Sequence, residues 1–178
     1  MYAIPMIARD TLTMPDGTSF LIVESAADSA GRRIEFEITM APGAMGPPKH
    51  VHPRQHERWK ILEGELSVLL DGDWRTLGEG ESLSIPPNTV HTLRNKSEGV
   101  VRFRDVHEPA LEFQEYIETL HRQAAAGTMT SRMTPRTLIY GAMVLREHRS
   151  TQLSASPAQR AAETALSLVG RALGYRLA

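Results

Sequence analysis

The stretch GPPKHVHPRQHERWKILEG, residues 46–64, decides the reading of the chain. His50 and His52 are two apart, so on an extended strand both rings project from one face and can grip a single ion. Pro53 and the strand-like Trp59-Lys60-Ile61-Leu62 run argue against a helix. The four-residue interval from His52 to His56 is therefore not the histidine pair of a zinc protease, and no glutamate sits between them to act as its base. Glu57 follows after a short connection. Further on, GESLSIPPNTVHTLRN, residues 80–95, brings His91 on a later strand. Glycines and prolines punctuate the interval with hairpin turns. Three imidazoles and one carboxylate make a divalent-metal site, here assembled from two hairpins.

These two stretches resemble the paired motifs of the cupin superfamily, G(X)5HXH(X)3-4E(X)6G and G(X)5PXG(X)2H(X)3N. His50, His52, Glu57 and Gly64 fall on the first, and Gly80, Pro86, His91 and Asn95 on the second. Two positions depart from the pattern. Ala44 stands where the first motif opens with glycine, flanked by Gly43 and Gly46. Asn88 replaces the glycine after the proline, and asparagine also accepts a left-handed backbone, so the turn should survive. The resemblance implies a mainly β fold, a double-stranded β-helix or jelly-roll barrel. It also implies that one divalent transition metal is held by His50, His52, Glu57 and His91, with Glu57 as the candidate catalytic group.

The other histidines are read more plainly. His56 is the alternative ligand if the family's variable spacer is one residue shorter here, although the spacing to Gly64 favours Glu57. His107, His121 and His148 are expected to be core or surface residues with satisfied hydrogen bonds. Arg54, Arg58 and Arg94 are expected on a solvated face.

With 178 residues and 41% apolar content, the chain can bury a real core as one modest globular unit. The formal net charge is −1 with both signs intermixed, so nothing marks a nucleic-acid footprint or a polybasic membrane segment. There is no cysteine, which excludes disulfides and thiolate ligands and is compatible with the cytoplasm. The opening MYAIPMIARD lacks the apolar run of a signal peptide, and no segment approaches transmembrane length. The expectation is a soluble cytoplasmic protein.

Strand signals come first along the chain and helix signals last. Ile34, Phe36, Ile38 and Met40 alternate with polar residues at the period of a half-buried strand. Pro15-Asp16-Gly17, Asp71-Gly72 and Pro86-Pro87-Asn88 mark turns. From Pro109 the period lengthens: Phe113, Tyr116, Ile117 and Leu120 form one helical face, with Gly127 as its stop. Thr134-Pro135 and Ser156-Pro157 each read as an N-cap followed by a first-turn proline, the second completed by Gln159 as a capping box. Residues 1–108 are thus expected to form the barrel, and residues 109–178 a helical extension packed on it or on a partner in a homodimer. The last helix should pack through the small-residue stripe Ala161, Ala162, Ala165, Leu166, Val169, Ala172 and Leu173. Thr128–Pro135 and Leu153–Pro157 are the expected flexible connections.

Imidazole and carboxylate donors suit iron, manganese, nickel, cobalt or zinc without choosing among them. If all four side chains bind a six-coordinate ion, about two positions stay open for water, substrate or dioxygen. Strand parity turns Trp59 and Ile61 inward with Glu57, and Leu93 inward with His91. Such an apolar, aromatic wall suits a small, partly hydrophobic organic ligand, with barrel core as the other reading of Trp59. The resulting expectation is a metal-dependent enzyme, of cupin dioxygenase type or an isomerase or lyase. The alternative is a non-catalytic cupin that binds a metal or ligand for sensing or storage.

Overall fold

A computed structural model describes residues 11–178, so the opening segment on which the signal-peptide expectation falls lies outside the described residues. Ten strands come first: β1 (Thr11–Thr13), β2 (Ser19–Glu24), β3 (Ile34–Met40), β4 (His50–Val51), β5 (His56–Glu63), β6 (Leu66–Leu70), β7 (Asp73–Leu77), β8 (Ser82–Ile85), β9 (His91–Arg94) and β10 (Val101–Glu108). They are followed by α1 (Phe113–Ala125), α2 (Pro135–Glu147), the short β11 (Leu153–Ser154) and α3 (Pro157–Ala172). A six-stranded sheet in the order β1-β2-β3-β10-β5-β8 faces a five-stranded sheet in the order β11-β4-β9-β6-β7, a jelly-roll barrel with C-terminal helices.

Alternation builds the six-stranded sheet. β3 buries Ile34, Phe36, Ile38 and Met40 while Glu35, Glu37 and Thr39 face outward, and β10 repeats the pattern beside it. On the outer face Arg104 pairs with Glu35 and Glu37, and Arg102 with Glu37 and Glu63. The inner faces meet in a core of Phe36, Trp59, Ile61, Leu66, Val68 and Phe103. Burying each large apolar side chain contributes about 1.5–3 kcal/mol.

The turns follow their residues. Asp71 and Gly72 both adopt positive φ and close the β6–β7 hairpin, while Asn88 takes φ 63°, the left-handed turn that the missing glycine required. The Asn88 N–H donates to the carbonyl of His52 at 2.9 Å, and its side-chain amide donates to the carbonyl of Pro53. This turn therefore fixes the loop that carries His52. Gly64 has φ 76°, and a Cβ there would stand 2.6 Å from the carbonyl oxygen of Val100.

Thr134 and Ser156 cap α2 and α3, accepting from the N–H groups of Thr137 and Gln159, each with a proline in the first turn. Two expectations need correction. Leu153–Ser154 is not a loose connection but a strand paired with β4, Leu153 opposite Val51 and Ser154 opposite His50. Within the chain, the face of α3 that packs is also not the expected stripe. Ser167 and Gly170 are its buried residues, whereas Ala161, Ala162, Ala165, Val169, Ala172 and Leu173 are exposed and Leu166 is half-buried. Gly170 decides this, because a Cβ there would lie 2.6 Å from Ile139 Cγ2 and 2.7 Å from Met143 Sδ on α2. A larger residue there would force the Ile139 and Met143 side chains to shift.

Candidate metal centre

His50 on β4 stands directly opposite His91 on β9, and Glu57 on β5 opposite His107 on β10. The two sheets thus bring their polar residues to one point in the barrel. His50, His52 and His91 offer ring nitrogens all within 4.8 Å of one another, and His52, Glu57 and His107 form a second such group. All five side chains are buried, His91 and His107 completely.

Each of the three imidazoles is held by a backbone carbonyl. The Nδ1–H of His50 donates to Pro48 at 2.9 Å, that of His52 to Thr151 at 2.6 Å and that of His91 to Thr89 at 2.8 Å. A carbonyl can only accept, so each Nδ1 carries a proton, and in the neutral ring this leaves the Nε2 lone pair free, the tautomer a metal ligand needs. His91 Nε2 lies 2.9 Å from Glu57 Oε2 and His52 Nε2 lies 3.6 Å from it. Yet Glu57 Oε2 and His91 Nε2 have no partner in hydrogen-bonding geometry. They lie side by side without a hydrogen bond between them. Uncommitted buried donor atoms are costly without a cation, and this donor set fits a divalent first-row ion.

The electrostatics agree. Burial holds His50 well below the ordinary histidine value and pushes His52 down to about 3, so both rings stay neutral and open to an ion. Burial would raise Glu57, but the charges of His91 and His107 outweigh it and hold the carboxylate well below its usual range. His91 and His107 move upward: burial works against their charge, and the facing carboxylates overcome it.

Around the four expected ligands, Trp59 Nε1 donates to Glu57 Oε1 at 2.8 Å and to Asp105 Oδ1 at 3.2 Å. Trp59 and Ile61 are buried on the inner face as parity required, and Leu93 is half-buried against the core. His56 is exposed on the opposite side of β5 and does not reach the cluster. Asn95 is a structural clasp, its amide donating to the carbonyls of Met40, Ala41 and Gly99.

His107 departs from its expected role. Its Nε2 lies 3.2 Å from Asp105 Oδ2 and 3.5 Å from Glu57 Oε1, which places it behind Glu57 as part of the site. The strand Val101–Glu108 carried the signal: Arg102, Arg104 and Glu108 share one parity, which turns Asp105 and His107 inward with Val101 and Phe103. His148 lies beside Thr119 and His121 beside Thr13, each within hydrogen-bonding distance and outside the cluster. Arg54 is exposed and Arg58 pairs with Glu108, but Arg94 lies over the Trp74 ring at 3.8 Å rather than in free solvent.

Residues 36–107 match the model of the cupin domain family, and that stretch of the chain is a cupin domain. Over 64 residues it is 39% identical to quercetin 2,3-dioxygenase of Bacillus subtilis, covering 35% of this chain and 19% of that protein. Over 130 residues it is 33% identical to the probable oxidoreductase yanE of Aspergillus niger, covering 62% of this chain and 49% of that one. The chain spans less than half the length of these curated relatives. A solved cupin described as a sugar phosphate isomerase, from Silicibacter pomeroyi, superposes with a TM-score of 0.53 at 18% identity, covering 62% of this chain and 77% of that one. That likeness shows the fold alone.

Proposed function

We propose that this protein is a metal-dependent cupin enzyme, oxidoreductase-like or an isomerase or lyase, acting on a small and partly hydrophobic organic substrate. One observation carries the reading: three imidazoles locked by backbone carbonyls gather within 4.8 Å of one another, and Nε2 of two of them, His52 and His91, lies against an uncommitted oxygen of Glu57. His50, His52, His91 and Glu57 would hold one divalent ion. Such an ion supplies a Lewis-acidic centre with positions left for oxygen donors of a substrate. Glu57 is also the candidate proton carrier: Trp59 fixes Oε1, and Oε2 is open to a proton only when it is not bound to the ion. Trp59, Ile61 and Leu93 supply the apolar wall. The similarity over part of the chain to a dioxygenase and a probable oxidoreductase favours redox chemistry among the alternatives. The proposal includes a cytoplasmic homodimer that does not engage nucleic acid. No helix among the described residues is long and apolar enough to cross a membrane.

The test is elemental analysis of the purified chain, followed by a substrate screen on the metal form it retains. Wild type should carry close to one ion per chain, Glu57→Gln should weaken binding or abolish turnover, and His56→Ala should change neither. Full occupancy in a His50→Ala/His52→Ala double variant overturns the assignment. A metal-loaded protein that turns over no candidate but binds small ligands would be a sensing or storage cupin instead.

A further inference from the structure

The matched cupin domain ends at residue 107, yet a histidine of its metal site is held by a residue far beyond that limit. The acceptor for His52 Nδ1–H is the carbonyl of Thr151, 99 residues along the chain. Thr151 is completely buried, and so is Gln55, whose side-chain carbonyl accepts from the Thr151 hydroxyl. The Gln55 amide in turn donates to the carbonyls of Pro109 and Ala110 at 3.0 and 2.9 Å, where the barrel gives way to α1. Just after Thr151, β11 pairs along β4 with Ser154 opposite His50, and the Ala155 N–H donates to the carbonyl of Lys49. A single short segment therefore pairs with the backbone of residues 49–51 and also holds the His52 ring.

That segment is clamped from its far side. Arg160, in the first turns of α3, donates from Nε to the carbonyl of Ser154 at 2.7 Å and from a terminal nitrogen to that of Ala155 at 3.2 Å. The Ser154 hydroxyl donates to Glu163, one turn further on. None of Arg160, Glu163 or Ser154 belongs to the metal-binding set.

We propose that residues 151–155 are a positioning strap for the metal centre, with Thr151 setting the tautomer and orientation of His52 and Arg160 anchoring the strap. The inference rests on the metal reading of the site. An acceptor on Nδ1 raises the basicity of Nε2 and fixes the ring, and losing such a partner typically costs about 10–100-fold in metal affinity. Coupling of this kind is reciprocal: whatever the strap adds to metal binding, the metal adds to docking of the strap.

The experiment uses the full chain and cobalt(II) as the probe. Affinity comes from competition titration, the His52 tautomer from nitrogen-15 NMR of the metal-free protein, and strap opening from amide hydrogen exchange. Arg160→Ala and Thr151→Val should each bind cobalt about tenfold more weakly with a mixed His52 tautomer, whereas Thr151→Ser should match wild type. Saturating cobalt should slow exchange at residues 153–155 in wild type. Unchanged affinity in both weakened variants, or weaker affinity with His52 still wholly in its Nδ1–H form, overturns the strap. A wild-type chain that binds no cobalt, manganese, iron, nickel or zinc overturns the metal reading itself, and does so before any variant is compared.

Discussion

The imidazole of His107 lies flat on the ring of Phe113, with centroids 3.5 Å apart and planes inclined by 25°. Phe113 opens α1, so the first helix after the barrel forms one wall of the polar cluster and holds His107 against Asp105 and Glu57. Phe113→Ala should cost about 3 kcal/mol or more, because the ring is buried among Phe36, His52 and Tyr116 and its removal leaves a cavity. Urea denaturation of the metal-free protein reads this as a lower midpoint at unchanged slope.

Trp59 is the shared donor of two buried carboxylates. Trp59→Phe keeps most of the volume but leaves Glu57 Oε1 and Asp105 Oδ1 without that N–H, which should destabilise the fold by about 1–3 kcal/mol. With Glu57 no longer fixed, metal affinity should fall as well. A variant as stable as wild type with undiminished affinity would mean that water replaces the indole.

Acid should weaken the metal-free fold over a defined range. His52 is pushed down to about 3 and His50 well below its ordinary 6.5, so below pH 6.5 the unfolded chain takes up protons that these rings refuse. Stability present above pH 6.5 is therefore lost as pH falls toward 3, by up to about 1.4 kcal/mol per pH unit for each ring. His91 and His107 are raised, so their contribution is complete below 6.5 and is lost only as pH rises through their folded values. They do not mask the acid slope. Denaturation at pH 6.5, 5.5 and 4.5 measures it, and His52→Gln should make it shallower.

Leu168, Val169 and Leu173 stand on the open side of α3 at 54%, 47% and 60% exposure. If the homodimer uses this face, Leu168→Glu/Leu173→Glu should give monomers in light scattering while metal content stays unchanged. A double variant that still pairs places the interface elsewhere.

The barrel and the buried convergence of His50, His52, Glu57 and His91 were legible because each is a matter of short-range spacing. The two-residue step from His50 to His52, the alternation of Glu57, Trp59 and Ile61, and the left-handed tolerance of Asn88 are all decided within a few residues. His107 was harder to see: the parity of Val101–Glu108 turns it inward, but its place in the site depends on lying opposite Glu57 across two strands, which no local interval announces. Strand β11 was missed for a related reason: two residues carry no periodicity, and Leu153 and Ser154 become a strand only because β4 lies alongside. The packing face of α3 went wrong because hydrophobicity marks which residues are apolar, whereas the closeness allowed by Gly170 determines which side turns inward.

The pairing of β11 with β4 also sets a schedule for synthesis. A chain emerging from the ribosome at about 5–20 residues per second can complete both histidine-bearing hairpins well before residue 154 appears. Through that interval the edge of β4 has no neighbour on its outer side, and unpaired strand edges recruit other chains. Termination or proteolysis between α1 and β11 would therefore leave a barrel that is nearly whole yet adhesive, with its centre unfinished. The last few dozen residues govern when a nascent molecule stops being a hazard to its neighbours.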